Sequence, residues 1–285
     1  MPTAPSIHNP TGRLVAEHPG LVKLGRVGWF AKGVVYLLAG VLAMVIVARS
    51  FGWSTTSGAA TEASPTGAIK EVAHSAGGPL LLWALALGLF LYAAWRVVTA
   101  LLPGSTDAKS WVKRIGYGVS AVLYATFGLT AVSLARSPTA TADGNQKVTD
   151  LTNRIMSNNA GRWLIGLTGV IALGAALYRA VKGLTMDVDD ELDLSGLSTQ
   201  RVRWTRRFAA VGEIGRGIAI ALIGFFLIRA AVTFNPDEAT GLDGVLRRAA
   251  EEQWGIVVVA LVGIGFVAYG AFCLTTFTRR RLQAP

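Results

Sequence analysis

A two-helix unit occurs three times along this chain, and this internal repeat constrains the fold more than any other feature of the sequence. The second half of each unit opens on a glycine, runs through apolar residues and closes on an aromatic residue with a short tail, at residues 78–96, 161–179 and 255–273. Upstream glycines keep one register, twelve residues apart in every copy: Gly28, Gly116 and Gly212, followed by Gly40, Gly128 and Gly224. Self-similarity at a regular spacing is the signature of a repeat architecture. A unit that crosses a layer twice returns to its starting side, so we expect three parallel copies.

The apolar runs within these units predict a membrane protein. Among 285 residues, 52% are hydrophobic and only 15% are charged, whereas soluble domains carry about 25% charged residues. Six runs approach or exceed the roughly 20 apolar residues that a bilayer crossing needs. They lie at about 27–48, 79–102, 115–135, 162–183, 211–233 and 255–277. They lack the alternation of barrel strands, so the predicted fold is all-α and integral to the membrane, with six transmembrane helices.

The basic residues predict the orientation of these helices. The net charge is +10, and lysine and arginine are densest in the two tails and in the second and fourth connections. Cytoplasmic loops carry such an excess, so we expect both termini in the cytoplasm. The same rule explains the charge without a nucleic acid partner. Arginines around Trp204, between Arg201 and Arg207, predict contact with anionic lipid of the cytoplasmic leaflet.

The chain divides into six predicted segments. They are a disordered cytoplasmic tail (1–22), repeat one (23–102), repeat two (110–184), a charged cytoplasmic linker (185–203), repeat three (204–278) and a basic tail (279–285). Inside each repeat, the loop between the spans mixes apolar and charged residues at helical spacing, at 68–73, 151–156 and 245–250. We interpret each as a short helix lying on the outer membrane surface.

The glycines in register predict how the spans pack. Membrane helices associate through small residues, which let two backbones approach closely. Three parallel two-helix repeats then predict a six-helix bundle with pseudo-threefold symmetry. We expect the six glycines to lie at helix–helix interfaces.

Charged residues within the spans are the candidate functional site. Lys32 and Arg216 hold equivalent positions in repeats one and three, where Ser120 stands in repeat two, and Glu213 precedes Arg216 by three residues. Ionisable groups inside a membrane usually mark function. Two interpretations stay open at this point: the long side chains snorkel to the interface, or they face the bundle interior and form a cytoplasmic gate or a cation site. Glu213 and Arg216 can pair on one helical face.

Other chemistry finds little support in the sequence. The three histidines, His8, His18 and His74, lie outside the spans, and Cys273 is the single cysteine. These residues do not provide axial haem ligands or a zinc site, so no cofactor or metal is predicted. The acidic stretch at 187–193 lacks the spacing of a calcium loop and is interpreted as a solvated linker.

With the threefold pattern in view, the chain resembles the bacterial membrane family called domain of unknown function 1206. The resemblance rests on the helix entry at 25–36 with its counterparts at 114–124 and 211–220, and on the helix exits at 92–96, 175–179 and 269–273. It covers nearly all of the chain from 25 to 278. It implies tandem two-helix repeats in a bacterial plasma membrane and transfers no catalytic residues.

For function, the sequence favours a non-enzymatic membrane component that binds lipid or a partner membrane protein. The alternative is a small-solute or ion transporter or channel, which would need a polar cavity near the midplane. An enzyme is disfavoured, because no span contains His or Asp.

Overall fold

The computed structural model of the chain describes residues 19–52, 64–75, 77–101, 108–137, 144–185, 192–251 and 255–279. Within these ranges the chain folds into nine α-helices and one short 3-10 helix, Pro236–Glu238. The helices are α1 (Pro19–Ser50), α2 (Pro65–Ala73), α3 (Gly78–Leu101), α4 (Ala108–Arg136), α5 (Gly144–Met156), α6 (Asn159–Thr185), α7 (Thr199–Thr233), α8 (Leu242–Glu251) and α9 (Gly255–Thr276).

Six of the helices in the described ranges are long and apolar enough to cross a membrane, as predicted: α1, α3, α4, α6, α7 and α9. Each repeat therefore contributes two spans with one short helix between them. The bundle has a termini end, where α1 begins and α9 ends, and a loop end, which carries the short helices α2, α5 and α8. Helix α7 begins at Thr199, inside the segment predicted as linker. The predicted disordered tail falls largely on residues 1–18, outside the described part.

The spans follow one another sideways in the order α4, α3, α1, α9, α7, α6, each packed against the next. Three interfaces join the second span of one repeat to the first span of another: α3 with α4, α6 with α7, and α9 with α1. This cyclic relation is the predicted pseudo-threefold arrangement. Two further interfaces join the spans within a repeat, α1 with α3 and α7 with α9. The two spans of repeat two, α4 and α6, are not packed along each other, so the ring is open on this side.

The second set of glycines in register lies at the interfaces between repeats. A Cβ added to Gly40 would stand 2.5 Å from the backbone nitrogen of Val267 on α9. At Gly128 it would meet the ring of Phe90 on α3, and at Gly224 the backbone of α6. Three equivalent glycines thus permit three equivalent close contacts between helix backbones or rings.

The first set of glycines lies at the interfaces within repeats, with one exception. Gly28 packs on Tyr92, and Gly212 packs on Tyr269, where an added Cβ would stand within 3 Å of the tyrosine backbone. Gly116 has no described atom within 4 Å of the position its Cβ would take. The expectation that Gly116 packs against another helix of this chain is therefore wrong, because it faces the open side of the ring.

Bulky residues explain why repeat two is open. Small residues face each other within the closed repeats: Gly88 with Ala31 in repeat one and Gly265 with Gly215 in repeat three. The equivalent positions of repeat two hold Ile171 and Val119, which are 63% and 56% exposed. Two β-branched side chains occupy the space that close approach of the helices requires.

The short helices cap the loop end of the bundle. The side chain of Ser64 accepts a hydrogen bond from the backbone nitrogen of Gly67 at 3.0 Å and so caps the N-terminus of α2. Ala68 of α2 and Leu246 of α8 are buried in one apolar cluster with residues of α1, α7 and α9. All three short helices exist as predicted. The apolar faces of α2 and α8 pack on protein, and their relation to a membrane surface stays a prediction.

Part of the segment predicted as a solvated linker is docked on the termini end of the bundle. Leu192 is buried in the same apolar cluster as Ala209 and Phe272. The backbone nitrogen of Asp193 donates to the carbonyl oxygen of Arg279 at 2.8 Å, and Arg279 Nη1 donates to the carbonyl oxygen of Ser195 at 3.0 Å. The linker is thus attached to the end of α9 from residue 192 onward. Residues 187–191 lie outside the described part.

Candidate functional site: a tyrosine–arginine cluster inside the bundle

Lys32 is held inside the bundle by a group of aromatic rings. Its Nζ atom lies 4.7 Å from the ring centre of Trp29, 5.0 Å from those of Tyr92 and Tyr269, and 5.3 Å from that of Tyr124. The side chain is 3% exposed. Aromatic faces attract a cation through their quadrupole, more strongly when water is excluded. The inward-facing interpretation of Lys32 therefore holds in this structure, and the snorkelling interpretation does not.

The hydroxyl of Tyr92 connects Lys32 to an arginine that the sequence analysis did not select. Lys32 Nζ donates to this oxygen at 3.2 Å, and Arg96 donates to it through Nε at 2.9 Å and Nη2 at 2.6 Å. A hydroxyl oxygen offers two acceptor lone pairs, so three donor atoms compete for one oxygen. The guanidinium carbon of Arg96 also lies 4.8 Å from the ring centre of Tyr117 on α4.

Glu213 holds two arginines rather than the one predicted. Its Oε1 atom accepts from Arg216 Nη1 at 3.1 Å, and its Oε2 atom accepts from Arg179 Nη1 at 2.7 Å. Arg216 is 8% exposed and its guanidinium carbon lies 4.0 Å from the ring centre of Tyr269. The predicted pairing of Glu213 with Arg216 is present. The third member, Arg179, comes from α6 in a different repeat.

These contacts form one cluster that draws on all six spans, which we call the tyrosine–arginine cluster. Each span contributes at least one member. The members are Trp29, Lys32 and Tyr36 of α1, Tyr92 and Arg96 of α3, Tyr117 and Tyr124 of α4, Arg179 of α6, Glu213 and Arg216 of α7, and Tyr269 of α9. The structure thus brings together all three predicted site residues.

The repeat offers a sequence signal for the members that were missed. Arg96 and Arg179 are equivalent in repeats one and two, and so are their partners Tyr117 and Glu213 in repeats two and three. Arg96 on Tyr117 and Arg179 on Glu213 are therefore the same contact at two interfaces between repeats. Taken alone, an arginine at the end of a membrane helix is interpreted as an anchor at the membrane surface. Alignment of the repeats shows that it has an equivalent polar partner on the first span of the next repeat.

The cluster carries more positive than negative charge. It contains three guanidinium groups, those of Arg96, Arg179 and Arg216, and the ammonium group of Lys32. It contains one carboxylate, that of Glu213, which binds Arg179 and Arg216. Charges removed from water are costly unless opposite charges and hydrogen bonds compensate them. Tyrosine rings and hydroxyl groups supply part of this compensation. An anion bound in the cluster would compensate more of this positive charge.

The tyrosine–arginine cluster lies in the termini half of the bundle. Toward the loop end, the buried cluster of α1, α7 and α9 consists of aliphatic residues and one ring, with Leu42, Val47, Val259, Val262 and Phe266 among its members. In the described ranges, no group of three or more His, Cys, Asp or Glu side chains could hold a metal ion.

Fold and cluster together define a six-span membrane protein made of three parallel two-helix repeats that share one buried charged network. The family Domain of Unknown Function (DUF1206) matches residues 27–102, 115–186 and 211–276, and the chain belongs to this family. The chain is similar to the "Uncharacterized protein YxxB" of Bacillus subtilis (strain 168), with 29% identity over 259 residues that cover 90% of each chain. No solved structure matches it.

Proposed function

We propose that this protein is a non-enzymatic component of the bacterial plasma membrane that binds an anionic lipid headgroup at the tyrosine–arginine cluster. The observation that carries the proposal is the excess of positive charge in the cluster, where Arg96, Arg179, Arg216 and Lys32 are accompanied by one carboxylate, that of Glu213, which binds only Arg179 and Arg216. A phosphate group from a lipid would provide the missing negative charge.

The geometry of the arginines suits an oxyanion. Arg179 and Arg216 each bind Glu213 through one nitrogen, Nη1. A guanidinium group presents five N–H donors in a planar fork, which matches carboxylate and phosphate oxygens two at a time. Each of the two arginines therefore has further N–H groups besides the Nη1 group that binds Glu213, and these can donate to a second oxyanion. Hydrogen bonds between charged groups are stronger than those between neutral groups.

The depth of the cluster suits a lipid of the cytoplasmic leaflet. The cluster lies toward the termini end, and the basic flanks support a cytoplasmic position for this end. Anionic lipids give that leaflet its negative surface potential. The basic segment at the start of α7, from Arg201 to Arg207, would add attraction at the surface.

Transport is less well supported than binding. A transported solute would need polar groups along the whole path, but the loop half of the described core is packed with apolar side chains. An enzymatic role would need an acid–base or nucleophilic pair, and the spans offer one carboxylate that already holds two arginines.

Lipid binding to the purified full chain in a mild non-ionic detergent tests the proposal. Native mass spectrometry would compare phosphatidylglycerol with phosphatidylcholine of the same chain length. We expect phosphatidylglycerol to bind at least tenfold more tightly. The double variant Arg96→Gln with Arg179→Gln should remove this preference, because both guanidinium groups are lost while an uncharged polar side chain remains at each position.

Lys113→Gln is the control, because Lys113 is an exposed cation at the same end of the bundle and lies outside the basic segment of α7. If the double variant keeps the wild-type preference, or if both variants lose it equally, the cluster does not hold the headgroup. A partner protein that copurifies with the wild type and not with the double variant, with no change in lipid binding, would assign the cluster to a protein partner instead.

A further inference from the structure

We infer that the opening between α4 and α6 is a lateral entrance from the bilayer, in which an acyl chain of the bound anionic lipid lies between the two helices of repeat two. This inference rests on the proposed function, because it adds the position of the lipid tail to that of the headgroup. The walls of the opening consist of residues outside the tyrosine–arginine cluster, so the inference can fail separately.

One wall of the opening is a face of α4 that is buried in the other repeats. Val119 and Leu123 are 56% and 51% exposed, and no described atom lies within 4 Å of a Cβ placed on Gly116. The equivalent residues are buried between helices elsewhere: Gly28, Ala31 and Val35 in repeat one, and Gly212, Gly215 and Ala219 in repeat three. Repeat two thus leaves an apolar helix face uncovered at a place where the architecture normally covers it.

The opposite wall is the corresponding face of α6. Ile171 and Tyr178 are 63% and 67% exposed, and Ala175 is exposed between them. Ala175 stands where repeats one and three have Tyr92 and Tyr269, whose rings lie beside Lys32 in the bundle interior. Alanine has no ring, so the α6 wall lacks this bulk in repeat two.

The opening leads to the cations of the cluster. On the α4 wall, Gly116 is followed by Tyr117, on whose ring the Arg96 guanidinium lies. On the α6 wall, Tyr178 is followed by Arg179, which binds Glu213. Arg179 keeps a side-chain exposure of 28%. An arginine is therefore present beside each wall, at the same end of the opening.

This combination fits an anionic lipid better than another occupant. Two apolar walls that are open to the bilayer favour a hydrocarbon chain, since acyl chains are the surrounding solvent of a membrane protein. The arginines beside both walls favour a negative group at one end of that chain. An anionic lipid matches this opening, because its acyl chain is apolar and its headgroup carries a negative charge at one end.

The decisive experiment separates the tail from the headgroup. The full chain in detergent is titrated with dioleoyl phosphatidylglycerol and with dihexanoyl phosphatidylglycerol, and binding is followed by native mass spectrometry. Val119→Trp and Ile171→Trp each place a large ring in the opening, away from the cluster residues. We expect either variant to weaken the long-chain lipid at least tenfold and the short-chain lipid less than twofold.

Leu87→Trp is the matched control, because Leu87 is an exposed residue of α3 at the height that corresponds to Ile171. Unchanged long-chain binding in both opening variants would overturn the lateral entrance, while the proposed headgroup site would stand if Arg96→Gln with Arg179→Gln still removed binding. If the opening variants and the double arginine variant all keep long-chain binding, both the lateral entrance and the headgroup site are wrong.

A cysteine pair tests the two other ways in which the opening can be filled. In a Cys273→Ala background, Val119→Cys and Ile171→Cys are combined and oxidised in native membranes. We expect no disulfide within one chain, because a disulfide requires Cα atoms within about 7 Å. Efficient cross-linking within one chain would show that α4 and α6 close on each other. Cross-linking between two chains would show that a second copy covers the opening, and either result would overturn the inference.

Discussion

Replacement of Glu213 by glutamine should destabilise the protein more than any other single change in the cluster. Glu213 binds Arg179 at 2.7 Å and Arg216 at 3.1 Å, and the side chains of Glu213 and Arg216 are 12% and 10% exposed. Glutamine keeps the volume but removes the one carboxylate that the two arginines share. Removing one partner of a buried ion pair costs about 3–5 kcal/mol, because the remaining charge is left uncompensated.

Because Glu213 binds two arginines, removal of one arginine should destabilise the protein less than removal of the carboxylate. After Arg216→Ala, Glu213 keeps its shorter contact with Arg179, so we expect a loss of about 1–2 kcal/mol rather than the full cost of a broken buried pair. The double variant Glu213→Gln with Arg216→Ala should be less destabilised than the sum of the two single variants. A coupling of about 1 kcal/mol or more is expected for residues in one ion-pair network.

Thermal unfolding of the purified protein in detergent measures these differences. For a chain of this size, 1 kcal/mol corresponds to a shift of about 2 °C in midpoint, so Glu213→Gln should lower it by about 6–10 °C. Arg201→Gln, an exposed arginine at the same end, is the control and should shift it by less than about 1 °C. A small effect of Glu213→Gln that simply adds to that of Arg216→Ala would show that the carboxylate is solvated, and the reasoning from buried charge would be wrong.

Three further predictions concern packing, topology and capping. Gly212→Leu should destabilise by about 1–3 kcal/mol through overpacking against Tyr269, whereas Gly116→Leu should be nearly neutral in the same thermal assay; equal losses would contradict the open second repeat. In a Cys273→Ala background, a membrane-impermeant thiol reagent added outside intact cells should label single cysteines in the three loops between paired spans, and labelling only after cell lysis would contradict the parallel orientation. These cysteines are placed at Ser57, Gly144 and Asp243. Ser64→Ala should cost about 1 kcal/mol, because it removes the N-cap of α2; an unchanged midpoint would show that this cap does not contribute.

The sequence by itself determined the architecture. Apolar runs of sufficient length predict spans wherever they occur, because every backbone polar group must be satisfied within the bilayer. The register of the glycines predicted the three repeats, and the interfaces at Gly40, Gly128 and Gly224 follow it. Local spacing also predicted that Glu213 and Arg216 would pair, since they are three residues apart on one helix.

Only the tertiary structure decided which repeat stays open and which charges meet. Gly116 has the same sequence signal as Gly28 and Gly212, but its exposure depends on what the partner helix α6 presents, where Ile171 stands in place of a glycine. A repeat pattern averages over its copies, whereas packing depends on the particular pair of side chains that face each other. The contact between Arg179 and Glu213, which lie 34 residues apart in the chain, likewise depends on how α6 packs against α7. Contacts between helices distant in the chain have no local periodicity, so one repeat read alone does not reveal them.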